Sequence, residues 1–125
     1  MRRRNSDNLI KDNQIAGISI EQSQNVVVEK NTIKDNDSWG VYIGYNPGTW
    51  LPGAPVVETK NNSIDANTVQ GNPTGVTIEH CHFEPYNKIT NNLIQNNHIG
   101  VKTVNAIVFM DGNTFSGNDK DVEEE

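Results

Sequence analysis

A six-residue pattern, Asn-x-(Ile or Phe)-x-x-Asn, recurs along this chain of 125 residues. Five copies that do not overlap begin at positions 8, 31, 62, 92 and 113, so successive starts are 23, 31, 30 and 21 residues apart. A unit of this length that repeats along a chain is typical of solenoid folds, in which each repeat adds one coil. The unequal spacing indicates insertions between copies. The copies are NLIKDN (8–13), NTIKDN (31–36), NSIDAN (62–67), NLIQNN (92–97) and NTFSGN (113–118).

Two further tracks accompany the asparagine motif. One is a glycine followed by alternating apolar and polar residues, which is the period of a strand with one buried face. The other is a short apolar run that precedes each asparagine motif. Each unit therefore contains three short strands, which predicts an all-β fold: a single-stranded, right-handed parallel β-helix of about five coils. The first track is GISI (17–20), GVYI (40–43), GVTI (75–78) and GVKT (100–103); the second is NVVVEK (25–30), VVETK (56–60), NKIT (87–90) and AIVFMD (106–111).

Asparagine occupies nineteen positions of the chain, and the fold explains why. Equivalent residues of successive coils stack about 4.8 Å apart, the spacing of neighbouring strands. An inward asparagine at a corner can donate its amide N–H to the side-chain oxygen of the asparagine one coil away, and asparagine also tolerates tight turns. We predict one ladder of Asn8, Asn31, Asn62, Asn92 and Asn113, a second of Asn13, Asn36, Asn67, Asn97 and Asn118, and between them an apolar column of Ile10, Ile33, Ile64, Ile94 and Phe115.

Length and composition predict a single domain over residues 1–125, with polar tails at 1–7 and 119–125. The hydrophobic fraction is only 34%, but the apolar residues fall on a period, which argues against disorder. The net charge of −6 argues against nucleic-acid binding. No apolar run is long enough to span a membrane, and no signal peptide is visible. The single Cys81 excludes an internal disulfide.

The run GISI (17–20) followed by NVVVEKNTIKDN (25–36) resembles the repeat of the pectin-lyase-like superfamily, including its NosD-type members. The resemblance extends from about Asn8 to Asn118. It implies a bias toward acidic or neutral polysaccharides, which such proteins bind, cleave or epimerise. The polygalacturonase-like signatures are absent from this sequence, and no arginine lies within the expected coils (8–118), so the arginine base of pectate-lyase-like members has no matching position. The resemblance therefore favours binding over catalysis.

Insertions break the repeat after each glycine strand, at one corner of the expected cylinder. They are EQSQ (21–24), GYNPGTWLPGAP (44–55), EHCHFEPY (79–86) and Val104-Asn105. Loops on a rigid scaffold often carry binding, and aromatic rings beside carboxylates are typical of sugar-binding surfaces. Alternatively, Trp50 and Phe83 fold over as a small core beneath their loops. The candidate ligand-binding residues are Tyr42, Tyr45, Trp50, His80, His82, Glu84 and Tyr86.

Catalytic and metal-binding interpretations have weaker support. Glu58, Glu79 and Lys88 are weak catalytic candidates, because stacked coils can bring carboxylates within the roughly 5–9 Å that glycosidases use. Exposed ion pairs between coils explain the same residues. An extended His80-Cys81-His82 would place both imidazoles on one face, but two ligands do not make a metal site. We favour a buried Cys81 with solvated histidines, and expect no metal and no cofactor.

The sequence thus favours a module that binds a polysaccharide or oligosaccharide, without nucleic-acid or membrane partners. The alternatives are a fragment or miniature of a polysaccharide-active enzyme (a lyase, glycoside hydrolase or epimerase) and a structural or assembly module. A solenoid also exposes unpaired backbone groups on its first and last coils. We therefore expect a homodimer with two-fold symmetry formed through the coil ends.

Overall fold

The computed structural model describes residues 3–44 and 58–125, and all regular structure in these ranges is β-strand. Three strands make up each of five coils. Coil 1 contains β1 (Arg3–Ser6), β2 (Leu9–Lys11) and β3 (Ala16–Glu21); coil 2 contains β4 (Val26–Glu29), β5 (Thr32–Lys34) and β6 (Trp39–Gly44); coil 3 contains β7 (Ser63–Asp65), β8 (Thr68–Gln70) and β9 (Thr74–Glu79); coil 4 contains β10 (Asn87–Thr90), β11 (Leu93–Gln95) and β12 (Ile99–Val104); coil 5 contains β13 (Val108–Asp111), β14 (Thr114–Ser116) and β15 (Lys120–Glu124).

Equivalent strands of the five coils pair side by side into three parallel sheets. Sheet A has the order β1-β4-β7-β10-β13, sheet B the order β2-β5-β8-β11-β14, and sheet C the order β3-β6-β9-β12-β15. Each strand therefore pairs with the strand one full coil away, so that the fold is a parallel β-helix, as the sequence predicts. Within the described ranges, no helix is long and apolar enough to cross a membrane.

The core consists of β-branched residues that stack in one column per sheet. Ile33, Val69 and Ile94 form the column of sheet B, and all three are fully buried. Sheets A and C contribute Val28, Ile64 and Ile89, and Val41, Val76 and Val101, which are also fully buried. Burial of each such side chain stabilises the fold by about 1.5–3 kcal/mol relative to exposure.

Asparagine ladders connect the coils at two corners. In each, the side-chain Nδ2 of one asparagine donates to Oδ1 of the next, at 3.0–3.2 Å in the first ladder and 2.9–3.2 Å in the second. The backbone N–H of the same residue donates to the same oxygen, so each rung is held by two hydrogen bonds. The first ladder contains Asn8, Asn31, Asn67, Asn92 and Asn113; the second contains Asn13, Asn36, Asn72, Asn97 and Asn118.

The predicted register of the third coil is wrong by one corner. Asn67 lies in the first ladder rather than the second, and the matching hexamer is NTVQGN (67–72), with Val69 in the apolar column. Asn62 instead pairs with Asn87 in a third, short ladder, at 3.0 Å. Ile64 accordingly stacks in sheet A, between Val28 and Ile89. The spacings along the first ladder are 23, 36, 25 and 21 residues.

Two other expectations about the strands require correction. The segments expected to be polar tails, 1–7 and 119–125, supply β1 and β15, because sheets A and C each extend by one strand at the ends. The segment VVETK (56–60) was expected to be a strand of the third coil, but β7 takes that place. Val56 and Val57 lie outside the described residues.

The residue before each ladder asparagine turns the corner. Lys30, Asp35, Ala66 and Asn91 have φ between 55° and 57°, and Gly71 has φ 70°. This left-handed conformation suits glycine and asparagine best, which explains why aspartate, asparagine or glycine precedes the ladder asparagines at every rung except two, where Lys30 and Ala66 adopt it. The turn conformation therefore falls on the preceding residue and not on the ladder asparagine itself, to which the sequence-based interpretation assigned it.

Candidate functional site

The insertions lie at one corner, between the end of sheet C and the start of sheet A, as predicted. Residues 22–25 connect β3 to β4, residues 80–86 connect β9 to β10, and residues 105–107 connect β12 to β13. The connection from β6 to β7 is the longest. Its residues 45–57 lie outside the described ranges, and with them the candidate ligand-binding residues Tyr45 and Trp50.

An aromatic pair occupies the outer face of sheet C. The rings of Trp39 and Tyr42 have centroids 4.8 Å apart and are tilted by 37°. Strict alternation along β6 would place these two residues on opposite faces. However, Gly40 and Val41 are both buried in succession, and a Cβ on Gly40 would meet the core side chain of Val69. This break in the alternation brings both rings to the same outer face.

A groove of about 430 Å³ runs beside the aromatic pair, lined by residues of the first two coils. Ser19 and Glu21 project outward from β3 and are exposed, and Ile15, just before this strand, is 64% exposed. The groove thus combines aromatic faces with a hydroxyl and a carboxylate. Its lining consists of Ile15, Ala16, Ser19, Glu21, Trp39 and Tyr42.

A hydrogen bond from the next coil fixes Tyr42. Its hydroxyl donates to Oε2 of Glu79, at the end of β9, over 2.9 Å. Burial, together with the hydrogen bond to Glu79 and the charges of Glu79 and Glu21, raises the pKa of the Tyr42 hydroxyl well above its usual range. Because Tyr42 is only 6% exposed, it forms a rigid wall of the groove with its hydroxyl protonated.

Each of the three weak catalytic candidates forms a hydrogen bond or ion pair with a different residue. Glu79 accepts the Tyr42 hydroxyl, Glu58 pairs with Lys60 at 3.2 Å, and Lys88 donates to Oδ1 of Asn61 at 3.0 Å. Among the described side chains, no hydrogen bond or ion pair joins any two of the three candidates.

The candidates in the loop after β9 are separate from this groove. His80, His82 and Glu84 are exposed and Tyr86 is half-buried. Desolvation and a hydrogen bond to Glu84 raise the pKa of the Tyr86 hydroxyl. His82 lines a second cavity, of about 500 Å³, at the last coil, with Met110, Glu124 and Glu125 among its neighbours. Tyr42 therefore lies in one cavity and His82 in another. Phe83 is 49% exposed, which disagrees with the alternative in which it forms a small core.

Cys81 lies inside the cylinder, as the sequence-based interpretation favoured. It is 2% exposed and packs in the main core, and its thiol donates to the carbonyl oxygen of Glu79 at 3.2 Å. Burial raises the pKa of the thiol to about 11. His80 has φ 56°, so the His-Cys-His segment is not an extended strand.

Sequence reasoning overlooked part of the groove. Tyr42 was a candidate, but Ile15, Ser19, Glu21 and Trp39 were not assigned to a site. A usable signal was the shared position of Ser19 and Tyr42 in the outward column of adjacent strands. The position of Trp39 depends on the local break at Gly40, which an alternating pattern does not reveal.

The fold and the groove together define a parallel β-helix with an aromatic groove on its outer face and one corner of variable length. Comparison with known families identifies it further: residues 2–125 match the family described as periplasmic copper-binding protein (NosD). The chain therefore belongs to the NosD family. No curated protein and no solved structure matched the chain.

Proposed function

We propose that this NosD-family β-helix is a carbohydrate-binding module, and that the groove on the outer face of sheet C holds the sugar. The observation that carries the proposal is the aromatic pair of Trp39 and Tyr42 beside the exposed Ser19 and Glu21. An aromatic face packs against the apolar face of a pyranose ring, while neighbouring hydroxyl and carboxylate groups bond its hydroxyls.

The charge of the groove favours a neutral sugar over an acidic one. Glu21 lines the groove and Glu79 holds the Tyr42 hydroxyl from the adjacent coil, whereas none of the six lining residues is basic. A uronic acid would bring its carboxylate close to Glu21 without a cation to offset the repulsion. Of the polysaccharide classes that the sequence suggested, neutral glycans are therefore the better fit.

The fixed position of Tyr42 supports binding by a preformed surface. The hydrogen bond to Glu79 and the packing against Trp39 restrict the rotation of its ring. A ligand then loses less free energy to the ordering of side chains than it would on a mobile loop. The interaction of Tyr42 with Glu79 therefore contributes to affinity without contacting the sugar directly.

A glycan-array screen followed by calorimetry with a neutral oligosaccharide that binds would test the proposal. Trp39→Ala should weaken binding about tenfold, equivalent to roughly 1.4 kcal/mol, because the stacking surface is lost. Phe109→Ala is the matched control, since Phe109 is a 52% exposed aromatic on β13 in sheet A, outside the groove lining. Equal affinity of the Trp39 variant and the native chain, or an equal loss in both variants, would contradict the proposal.

The family description names copper, but histidine, cysteine and acidic side chains do not converge into a copper site among the described residues. The ligands suited to copper are imidazole nitrogens, thiolates and thioethers. Cys81 turns its protonated thiol into the core, and Nδ1 of His98 is held by Asp119 at 2.7 Å. No group of three histidine, cysteine or acidic side chains within residues 3–44 and 58–125 converges on a point where a metal ion could bind. We therefore do not extend copper binding to this chain.

A further inference from the structure

Four of the five coils have glycine at the same position of sheet C, at the start of the strand. These are Gly17, Gly40, Gly75 and Gly100. A Cβ on any of them would lie 2.5–2.8 Å from the backbone carbonyl oxygen of the equivalent residue in the next coil. Real Cβ atoms essentially never approach a carbonyl oxygen below 3.0 Å. Glycine is therefore required at this position wherever another coil stacks above it.

The fifth coil has Asp121 at this position. Its carbonyl oxygen is the atom that a Cβ on Gly100 would meet, which places Asp121 in the glycine column. Its own Cβ points to the place where the carbonyl oxygen of a sixth coil would lie. Because the obstacle is backbone, a side-chain rotation cannot relieve it.

Apart from Asp121, the free hydrogen-bond donors of the last coil match the free acceptors of the first coil of a second copy. In the ladders, N–H groups donate from each coil to the amide oxygens of the next. Among the described residues, the backbone N–H groups of Asn113 and Asn118 have no acceptor, and Oδ1 of Asn8 and of Asn13 has no donor. Stacking the first coil of one copy on the last coil of another would pair these groups as at every internal junction.

The apolar columns would also agree. Phe115 ends the column of sheet B that Ile10 begins, and both are partly buried. The acidic end of β15 would stack on β3, where the register places Glu125 beside Glu21, whereas Arg4 and Lys11 lie on β1 and β2, so the charges do not favour this contact. Neither the ladders nor the apolar columns prevent copies from stacking into a fibre.

We propose that Asp121 is a steric stop, which closes the last coil of the solenoid to head-to-tail stacking of a second copy. The Cβ of Asp121 would collide with the carbonyl oxygen of Gly17 in that copy, as the glycine column shows for each internal junction. Natural β-proteins need such devices, because an open sheet edge is a template for aggregation. The two-fold dimer expected from the sequence uses a different contact and remains a prediction.

Replacing Asp121 provides a direct test with a matched control. Asp121→Gly removes the Cβ, whereas Asp121→Ala removes the carboxylate and its exposed hydrogen bond from Asn118 but keeps the Cβ. In sedimentation velocity over a wide concentration range, the mean mass of Asp121→Gly should rise with concentration to at least several times that of the native chain. Asp121→Ala should sediment like the native chain.

A pair of cysteines reports the geometry of the contact. Lys11 and Ser116 lie at equivalent outward positions at the two ends of sheet B. Within one molecule they are four coil spacings, about 19 Å, apart. In a head-to-tail contact they are one spacing apart, about 4.8 Å, which a disulfide can bridge. Lys11→Cys with Ser116→Cys should therefore give disulfide-linked chains in the Asp121→Gly background and none in the native background.

Three results would overturn the proposal. The first is a folded Asp121→Gly chain, judged by circular dichroism, that keeps the mass of the native chain at all concentrations. The second is equal assembly of Asp121→Ala, which would make the carboxylate charge the barrier. The third is disulfide-linked chains in the native background, which would show that the last coil is open. This third result can overturn the proposal even if Asp121→Gly does not fold.

Discussion

Replacement of Asn67 by leucine should destabilise the protein more than any equivalent change at a ladder end. Asn67 is the central rung of the first ladder and is 2% exposed. Its Oδ1 accepts the backbone N–H of Asn31 at 2.9 Å and the Nδ2 of Asn31 at 3.2 Å. Its Nδ2 donates to the carbonyl oxygen of Val28 at 2.9 Å and to Oδ1 of Asn92 at 3.0 Å.

The size of the effect follows from the groups that lose their partner. Oδ1 of Asn92 still accepts the backbone N–H of residue 67, and Nδ2 of Asn31 still donates to the carbonyl oxygen of Asn5. The backbone N–H of Asn31 and the carbonyl of Val28 lose the bonds that Asn67 provides. A buried polar group left unpaired costs about 1–3 kcal/mol, so the expected loss is about 2–6 kcal/mol. A domain of this size has only about 5–15 kcal/mol of stability.

Urea unfolding followed by circular dichroism measures this loss, and Asn8→Leu is the control. Asn8 occupies the same position of the repeat, but none of the described residues donates to its Oδ1, and its bonds to Asn5 and Ser6 are exposed. We expect the control to cost less than about 1 kcal/mol. Equal losses in the two variants would refute the idea that buried rungs stabilise the coil through their unpaired partners.

Two further outcomes are expected. Gly75→Ala should reduce the free energy of unfolding by about 1–3 kcal/mol or more, because its Cβ would lie 2.6 Å from the carbonyl oxygen of Gly100. Asp121→Ala is the control and should leave the free energy of unfolding unchanged. An equal loss in both variants would contradict the steric argument. The pKa of Cys81 rises from 9.0 to about 11 on folding, so the stabilisation by its neutral thiol is present below pH 9.0 and is lost as the pH rises toward 11. The melting temperature of the native chain should therefore fall toward that of Cys81→Ala between about pH 9 and pH 11, and a constant difference would contradict this.

The sequence predicts the fold well because each part of its repeat corresponds to a structural feature of the coil. The glycine strands GISI, GVYI, GVTI and GVKT do align in sheet C, with Val41, Val76 and Val101 in one buried column. A period of two within each strand and a recurring asparagine at each corner leave few other folds that satisfy both. Hence the class of fold and most ladder members follow from residue spacing alone.

The error in the third coil has a physical cause in the spacing of the asparagines. Asn62, Asn67 and Asn72 are five residues apart, one at each of three successive corners, so the hexamer can shift by one corner without losing its pattern. The hexamer NKITNN (87–92) obeys the same pattern, again one corner early. The register is decided only by which asparagine of the neighbouring coil forms the hydrogen bond. The sequence does not show this partner, because a long insertion precedes Asn62.

The candidate site was harder to predict because its residues come from different coils. Tyr42 donates a hydrogen bond to Glu79, 37 residues later. The length of the insertion between them does not indicate which residues of the two coils become neighbours. His82 and Tyr42 belong to the same corner in sequence, yet they line separate cavities near opposite ends of the solenoid.

The position of the insertions follows from where the ladders are continuous. The two complete ladders join all five coils, and the segment between their asparagines, such as Asn67 to Asn72, always spans five residues. At the third corner, the described residues form only the short ladder of Asn62 and Asn87, so the connections there vary in length without breaking a chain of buried amides. The strands of sheet C end at this corner, and their last residues include Glu21 and Glu79. Outward residues at the ends of these strands are thus free to vary for binding, while the other two corners remain fixed by the stability of the coil.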